Sequence, residues 1–309
     1  MNSLIDKYNS IKNNPWLLIA YVANRLYWLF PNKLFLSIQF RARLKNWIDW
    51  NEPKTYNEKL QWLKLYYKRP EYTDLVDKYA VKQKIAELIG EEYIIPTIAV
   101  YDNFEDIDFD AFPNQFVLKC THDSGGLVIC KDKNSFDVDF ARTKINKSLK
   151  NNFYSKSKEW PYKSVPPRII VEQYMEDESG YELKDYKFFC FDGVPKALFV
   201  AADRGIENEE TKFNFYDMNF NLLPFTNGHP NSEKPIAKPK SFELMKDLAA
   251  KLSEGMPHVR IDFYDIYGKV YFGEITFFHW SGLVPFEPEE WDYKFGEWIK
   301  LPKRIEYDK

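Results

Sequence analysis

The chain has 309 residues, 45% of them hydrophobic and 55 aromatic (9 Trp, 21 Tyr, 25 Phe), which is ample for a large core and excludes a disordered tail. With 43 Lys and Arg against 46 Asp and Glu, the net charge of −3 argues against a surface that binds nucleic acid throughout. Cys120, Cys130 and Cys190 form no C-x-x-C and the four histidines show no ligand spacing, so disulfide scaffolds and common zinc sites are excluded and a reducing cytoplasm is expected.

Residues 1–50 read as a separate basic, aromatic, helical segment. They hold seven Lys/Arg and two Asp, leaving 36 basic and 44 acidic residues for the rest. Leu17, Leu18, Tyr21, Val22, Leu26 and Leu29 recur at helical spacing up to Pro31, and a second helix is predicted over 34–47. The longest apolar run, 16–23, is eight residues, whereas a bilayer span takes about 20, and no signal-peptide cleavage pattern follows it. Two readings stand for this segment: a peripheral membrane contact with Trp16, Trp28 and Trp47 near the interface, or aromatics packed on the main body.

Residues 51–112 form a helical region, with helices over 56–67 and 73–89 and a short strand over 93–100. From 113 onward the pattern turns to strands, in two subdomains of about 113–175 and 176–309. Strands are predicted over 116–120, 127–131, 169–174, 183–191 and 196–202, with a hairpin turn at Asp192-Gly193. Ser241 should N-cap a helix with Leu244, Leu248 and Leu252 on one face and Gly255 past its end. Strands over 258–266 and 269–278 close the chain as a hairpin about Tyr267-Gly268. The class is α+β with antiparallel sheets.

The last hairpin, VRIDFYDIYGKVYFGEITF, is the most informative stretch. Pairing symmetric about Gly268 sets Asp262 opposite Glu274 and Arg260 opposite Thr276, all on one face because strand side chains alternate. Carboxylates opposed at Cβ distances of about 4.5–5.5 Å repel, so a cation is expected between them. Mg²⁺ suits the pair, since it takes one or two carboxylates plus phosphate oxygens, and Arg260 supplies a fork for phosphate. The plainer reading is a solvated acidic face.

In FVLKC-THDSGG-LVICK, Lys119 faces away from Phe116, Leu118 and Cys120, and Ser124, Gly125 and Gly126 form a tip that either brings backbone N–H groups to an anion or simply turns. No P-loop or Rossmann fingerprint occurs. In IIVEQYMEDESGYELKDYKFFCF, a strand runs into Glu172-Gln173-Tyr174-Met175 and returns from Glu182, either an adenine rim with a carboxylate for ribose or an ordinary acidic hairpin. Asp106-x-Asp108, Asp108-x-Asp110 and Asp137-x-Asp139 resemble the D-x-D of metal-dependent glycosyltransferases, the alternative reading, although they lie in loop-like runs.

Strand lysine, glycine tip, E-Q-Y-M hinge and D…E hairpin follow the order of the ATP-grasp superfamily. More closely, N-E-P-K-T-Y-N-E-K-L-Q-W-L-K-L (51–65), V-D-K-Y (76–79), P-N-Q-F-V-L-K-C (113–120), L-K-D-Y-K-F-F-C-F (183–191) and Y-F-G-E-I-T-F (271–277) resemble the TupA-like ATP-grasp family, associated with teichuronopeptide and other bacterial surface-polysaccharide synthesis. The resemblance covers about residues 40–300. It implies an ATP-grasp fold and an ATP- and Mg²⁺-dependent carboxylate-amine ligase whose partners are a sugar uronic acid or polysaccharide precursor and a small amine or amino acid. It implies that Lys119 touches the phosphates, that Ser124, Gly125 and Gly126 form a lid, and that Glu172, Gln173 and Met175 hold adenine. Glu182 would take ribose, Asp262 and Glu274 magnesium, and Arg260 the transferring phosphoryl group. Thr276 stands where the superfamily usually has a metal-binding Asn, and Trp280-Ser281-Gly282 replaces its usual Pro-Gly, which bears on acceptor recognition. Lys187 shares a side with Glu182 only if a bulge intervenes.

Overall fold

The structure is a computed structural model that describes residues 12–180, 183–202, 210–233 and 236–304. Its first elements, α1 (Trp16–Arg25) and α2 (Asn32–Leu44), pack through Ala20, Ala23, Phe35, Leu36 and Ile38, and Gln39 Nε2 donates to the Ala20 carbonyl at 3.0 Å. Helix α3 (Tyr56–Tyr66) starts from a capping box in which Thr55 Oγ1 accepts from Glu58 N–H at 3.2 Å and Glu58 Oε2 accepts from Thr55 N–H at 3.0 Å. The helix expected over 73–89 is two, α4 (Tyr72–Val76) and α5 (Ala80–Ile89). Asp77 divides them, since its Oδ1 accepts the N–H groups of Tyr79 and Ala80 at 2.8 and 3.2 Å and so begins a new helix. The following strand, β1 (Thr97–Tyr101), starts later than expected, because 91–93 form a 3₁₀ turn and Pro96 has no N–H to pair.

β1, β2 (Phe116–Cys120), β3 (Leu127–Cys130) and β4 (Ile169–Gln173) form an antiparallel sheet in the order β1-β4-β2-β3. The sheet thus takes in residues from before position 113. Helix α6 (Val138–Leu149) covers one face around Phe116, Leu118, Ile145 and Val171, and the short α7 (Phe153–Ser157) leads into β4 by way of a 3₁₀ turn. A second antiparallel sheet has the order β10-β9-β5-β6-β7, from β5 (Asp185–Phe191), β6 (Val194–Ala202), β7 (Lys212–Tyr216), β9 (Val259–Ile266) and β10 (Lys269–Thr276). Between β7 and β9, β8 (Thr226–Asn227) pairs with the later β11 (Phe286–Glu287), beside which lies α9 (Glu290–Trp298). Helix α8 (Phe242–Leu252) backs the large sheet through Met245, Leu248, Ala249 and Leu252, whereas Leu244, expected on that face, is exposed. Ser241 makes no side-chain cap; its hydroxyl instead hydrogen-bonds Asp265 Oδ2 at 2.5 Å.

The register of β9 and β10 decides the geometry of the cleft. Tyr267 and Gly268 form a two-residue turn at φ 53° and 84°. Pairing from that turn alone would set Gly273 opposite Asp262. Gly273 instead bulges, and past it the register steps so that Glu274 faces Asp262 and Thr276 faces Arg260. The expected pairs are therefore present, produced by a turn and a bulge together and not by symmetry about Gly268.

Candidate active site

The two sheets face each other across a cleft. Lys119 and Glu172 line it from the small sheet, Asp185, Lys187, Asp262, Tyr264 and Glu274 from the large one, and Lys78, Lys82, Ile94 and Ile95 from α5 and the residues on either side of it, ahead of β1. Alternation along each strand sends these polar side chains inward while Leu118, Val171, Phe188 and Ile261 enter the cores.

On the small sheet Glu172 is the organising group. Its Oε2 meets Lys119 Nζ at 2.6 Å and its Oε1 pairs with Lys82 Nζ, which also donates to Ile95 O at 2.7 Å and Thr97 Oγ1 at 2.9 Å. Burial alone would raise the Glu172 carboxyl, but Lys119 and Lys82 outweigh it and hold it below the ordinary value. Lys78 donates to the carbonyl of Asp123 at the foot of the glycine tip. Asp123 in turn accepts from Gly126 N–H at 3.0 Å through Oδ1 and from the Ser148 hydroxyl through Oδ2. Gly126 is required by close approach, since a Cβ there would stand 2.4 Å from Cys120 Sγ. Ser124 and Gly125 form the exposed tip.

On the large sheet Asp262 is fully enclosed by cations. Arg260 donates to it through Nε at 2.7 Å and Nη2 at 2.8 Å, and Lys187, directly opposite on β5, pairs with Oδ2 and lies 3.3 Å from Asp185 Oδ2. Burial would raise Asp262, yet the Arg260 and Lys187 charges hold it below the ordinary carboxylate value. The charge expected between Asp262 and Glu274 is thus supplied by the protein itself. Glu274 is different: its side chain is 33% exposed and meets Arg260 Nη2 at 3.8 Å.

Behind these groups a second set of hydrogen bonds fixes Arg260. Its Nη2 donates to Thr276 Oγ1 at 3.0 Å and its Nη1 to His279 Nδ1 at 2.8 Å. Guanidinium only donates, so Nδ1 accepts and His279 Nε2–H donates to Asn227 Oδ1 at 3.0 Å; the Asn227 amide then donates to the carbonyls of Val284 and Pro285 at 3.2 and 3.0 Å. Burial and then the Arg260 charge hold the His279 imidazolium well below its usual range, which agrees with a neutral ring. His279 opens a loop in which Trp280, Ser281 and Gly282 are left-handed in succession, at φ 48°, 57° and 60°.

Of the residues singled out in the sequence, Lys119, Ser124, Gly126, Glu172, Asp262 and Glu274 share the cleft wall; Arg260 and Thr276 lie one layer behind it. Gln173 is exposed, Met175 is half-buried, and neither they nor Gly125 line the cleft. Glu182 lies outside the described residues. Lys187 joins the site by direct pairing with Asp262. Lys78, Lys82, Asp185 and Tyr264 were missed, although Lys78 and Lys82 stand four apart at the start of a helix, a spacing that marks one face. The D-x-D triplets do local work: Asp106 Oδ2 accepts from Asn103 Nδ2 at 3.0 Å, Asp108 Oδ1 accepts from Asp110 N–H at 3.0 Å, and Asp137 caps α6 through Phe140 N–H at 2.8 Å.

Among the described residues no three His, Cys, Asp or Glu side chains gather into a metal site. The two opposed carboxylates are donors of the type Mg²⁺ takes with water and phosphate oxygens, but only Glu274 is open at the cleft edge, since both Asp262 oxygens are engaged by Arg260 and Lys187.

The profile of the TupA-like ATPgrasp family matches residues 58–300, a stretch that contains every cleft residue named above. The chain belongs to the TupA-like ATP-grasp family. No curated protein is similar enough to match it. Solved structures similar to this TupA-like chain include the ATP-grasp ligase PsnB complexed with minimal precursor, Mg and ADP, at 9% identity and a TM-score of 0.40, covering 84% of this chain and 66% of that one. D-alanine-D-alanine ligase from Helicobacter pylori is 14% identical, with a TM-score of 0.38 and coverage of 73% and 61%. D-alanine-D-alanine ligase from Bacillus anthracis complexed with ATP is 17% identical, with a TM-score of 0.36 and coverage of 65% and 55%. The chain therefore spans 55–66% of the length of these ligases.

Proposed function

We propose that the protein is a cytoplasmic, ATP-dependent carboxylate-amine ligase of bacterial capsule or surface-polysaccharide synthesis, joining the carboxylate of a sugar uronic acid or polysaccharide precursor to a small amine or amino acid. The observation that carries this reading is the convergence of Lys78, Lys82, Lys119 and Lys187 on one cleft with Arg260 behind it, facing the opposed carboxylates Asp262 and Glu274. Phosphoryl transfer asks a protein mainly to position groups and neutralise charge, and this is a cleft of pre-oriented cations.

In this reading Glu172, expected at adenine, instead holds Lys82 and Lys119 toward the phosphates through its two ion pairs, and the Ser124 to Gly126 tip covers them. Adenine would extend beyond the cleft lining, past the end of β4, to reach Gln173 and Met175, and Glu182 would take ribose. Asp262 and Glu274 would hold Mg²⁺, which when bound would draw charge from the γ-phosphate, while Thr276, whose hydroxyl accepts from Arg260, stands behind them. Arg260, kept in place by Thr276 and His279, and Lys187 neutralise the oxygens of the transferring group. A carboxylate oxygen of the acceptor attacks the γ-phosphorus and ADP leaves; the amine then attacks the acyl carbon, loses a proton, and expels phosphate that carries the former carboxylate oxygen.

The test uses an ¹⁸O-carboxylate uronic acid with an amine and ATP. Labelled phosphate released with amide formation is the expected result. Unlabelled phosphate, or phosphate retained on the sugar, would sink the acyl-phosphate route.

A further inference from the structure

Helix α1 is apolar on both sides, but among the described residues only one side is covered. Ala20 and Ala23 are buried against α2, with Trp16, Leu17 and Tyr27 packed around the same cluster. On the opposite side Leu18, Tyr21, Val22 and Leu26 are exposed, and Trp28 and Leu29 beyond the helix are each 64% exposed. Positions 18, 21, 22 and 25 fall on one face at helical spacing, and the exposed Leu26, Trp28 and Leu29 follow directly in the cap and the 3₁₀ turn after it. A folded protein exposes large apolar side chains singly; a contiguous stripe marks a surface that something covers.

The charge around it indicates what that is. Arg25 lies within the stripe, its Nη1 donating to Tyr21 Oη at 3.4 Å, and Lys33 is exposed at the start of the next helix, just after the turn. Seven basic and two acidic residues in the first fifty stand against 36 and 44 in the remainder. A second copy meeting this face through the same face would set excess positive charge against itself. An anionic lipid surface offers both complements, acyl chains to the stripe and phosphates to its cationic border. Among the described residues no helix is long and apolar enough to cross a membrane, so the contact would lie in the interface.

We propose that α1 and the Tyr27–Leu29 turn dock on the surface of an anionic membrane, and that the protein acts there on a membrane-bound carbohydrate acceptor. The second clause rests on the ligase reading; the first does not. The docking helix is coupled to the loop behind the cleft: α1 packs on α2, whose Phe40 packs with Ile48 and with Leu283, next to Gly282. Lys158 ties the same region together, with Nζ 4.7 Å from the Tyr27 ring and 4.8 Å from the Phe35 ring.

The experiment is sedimentation of the full chain with phosphatidylcholine vesicles, with and without phosphatidylglycerol, at low and high salt. Binding should require the anionic lipid and weaken as salt rises. The double variant Trp28→Ser/Leu29→Ser should weaken it at least about tenfold, given the apolar area the two side chains withdraw from water, and Arg25→Glu/Lys33→Glu should weaken it by a similar factor with the stripe intact. Nucleotide binding, followed by calorimetry, should be unchanged in both variants. Absent binding to anionic vesicles, or binding insensitive to the variants, would overturn the proposal. So would concentration-dependent self-association that the Trp28/Leu29 variant abolishes, since the stripe would then be covered by a second copy. Vesicle binding by a protein that fails to bind ATP would instead refute the ligase reading and leave the docking face standing.

Discussion

Asp262 and Glu274 face each other across adjacent strands yet sit in different electrostatic situations. From the sequence, two opposed carboxylates should repel, so that neutralising either one should leave the metal-free protein as stable or more so. The structure reverses this for Asp262, which is the shared counter-charge of the buried Arg260 and Lys187. Removing one partner of a buried ionic cluster costs about 3–5 kcal/mol, because the remaining charges lose their compensation. Asp262→Asn is therefore expected to lower unfolding free energy by about that amount in a urea titration, whereas Glu274→Gln, one third exposed, should stay within about 1 kcal/mol of the parent. Both should lose ATP turnover. Equal stability of Asp262→Asn and parent would mean that Asp262 is not the counter-ion. The opposed pair could be read from hairpin parity; its asymmetry could not, because parity does not show that Arg260 forks onto Asp262 and only approaches Glu274, the second cation, Lys187, comes from a strand 75 residues away, and the register depends on a bulge at Gly273.

Helix α3 shows what an element can hide. Asn57, Gln61 and Lys64 recur at i, i+4 and i+7, the spacing of a core-facing stripe, and all three are buried. They are polar because they grip the loop after β10: Asn57 Nδ2 donates to Val284 O at 3.1 Å, Gln61 Nε2 to Gly282 O at 2.8 Å, and Lys64 Nζ to Ser281 O at 2.8 Å and Ser281 Oγ at 2.6 Å. Left-handed backbone at Trp280 and Ser281 costs about 1–3 kcal/mol each, which these bonds offset. The loop they hold carries His279 and so the orientation of Arg260. Near Lys64, burial raises the Glu159 carboxyl to about 7, and the charge of Lys64 opposes that rise. Lys64→Met removes the clamp and Glu159's nearby positive charge together, and should cost about 3 kcal/mol or more in urea unfolding. Ser281→Ala removes one hydroxyl and should cost about 1 kcal/mol while nucleotide affinity, measured by calorimetry, holds. A Lys64→Met protein as stable as the parent would show that the loop needs no clamp. The stripe lies within a stretch that carries the family resemblance, but its role was illegible because its partners in that loop lie 217 or more residues further on.

At the scale of the molecule, two sheets each carry a core of their own, and the cleft lies where their polar faces meet. The strands could be read because alternation and the Asp192-Gly193 and Tyr267-Gly268 turns are local signals. The order β1-β4-β2-β3 could not, since β4 pairs with two strands far from it in sequence, and α6, β7 and α9 pack by contacts that no local pattern announces. A ligand held by Lys119 on one sheet and by Lys187 and Asp262 on the other would bridge the two units, and binding to the folded state alone adds RT ln(1 + [L]/Kd), about 2.7 kcal/mol at a hundredfold excess over Kd. For a chain of this size each kcal/mol raises Tm by about 2–4 °C, so ATP with Mg²⁺ should raise Tm by about 5–10 °C. Lys119→Ala separates this gain from intrinsic stability. Glu172 keeps Lys82 as its partner in that variant, so the apo Tm should fall by no more than a few degrees, while the nucleotide-induced rise should shrink to less than half. Calorimetric scans of parent and variant with and without ATP and Mg²⁺ decide the matter: an undiminished rise in Lys119→Ala would remove that lysine from the nucleotide's reach, and a parent that gains nothing from ATP would leave the two sheets unbridged and the cleft without its proposed ligand.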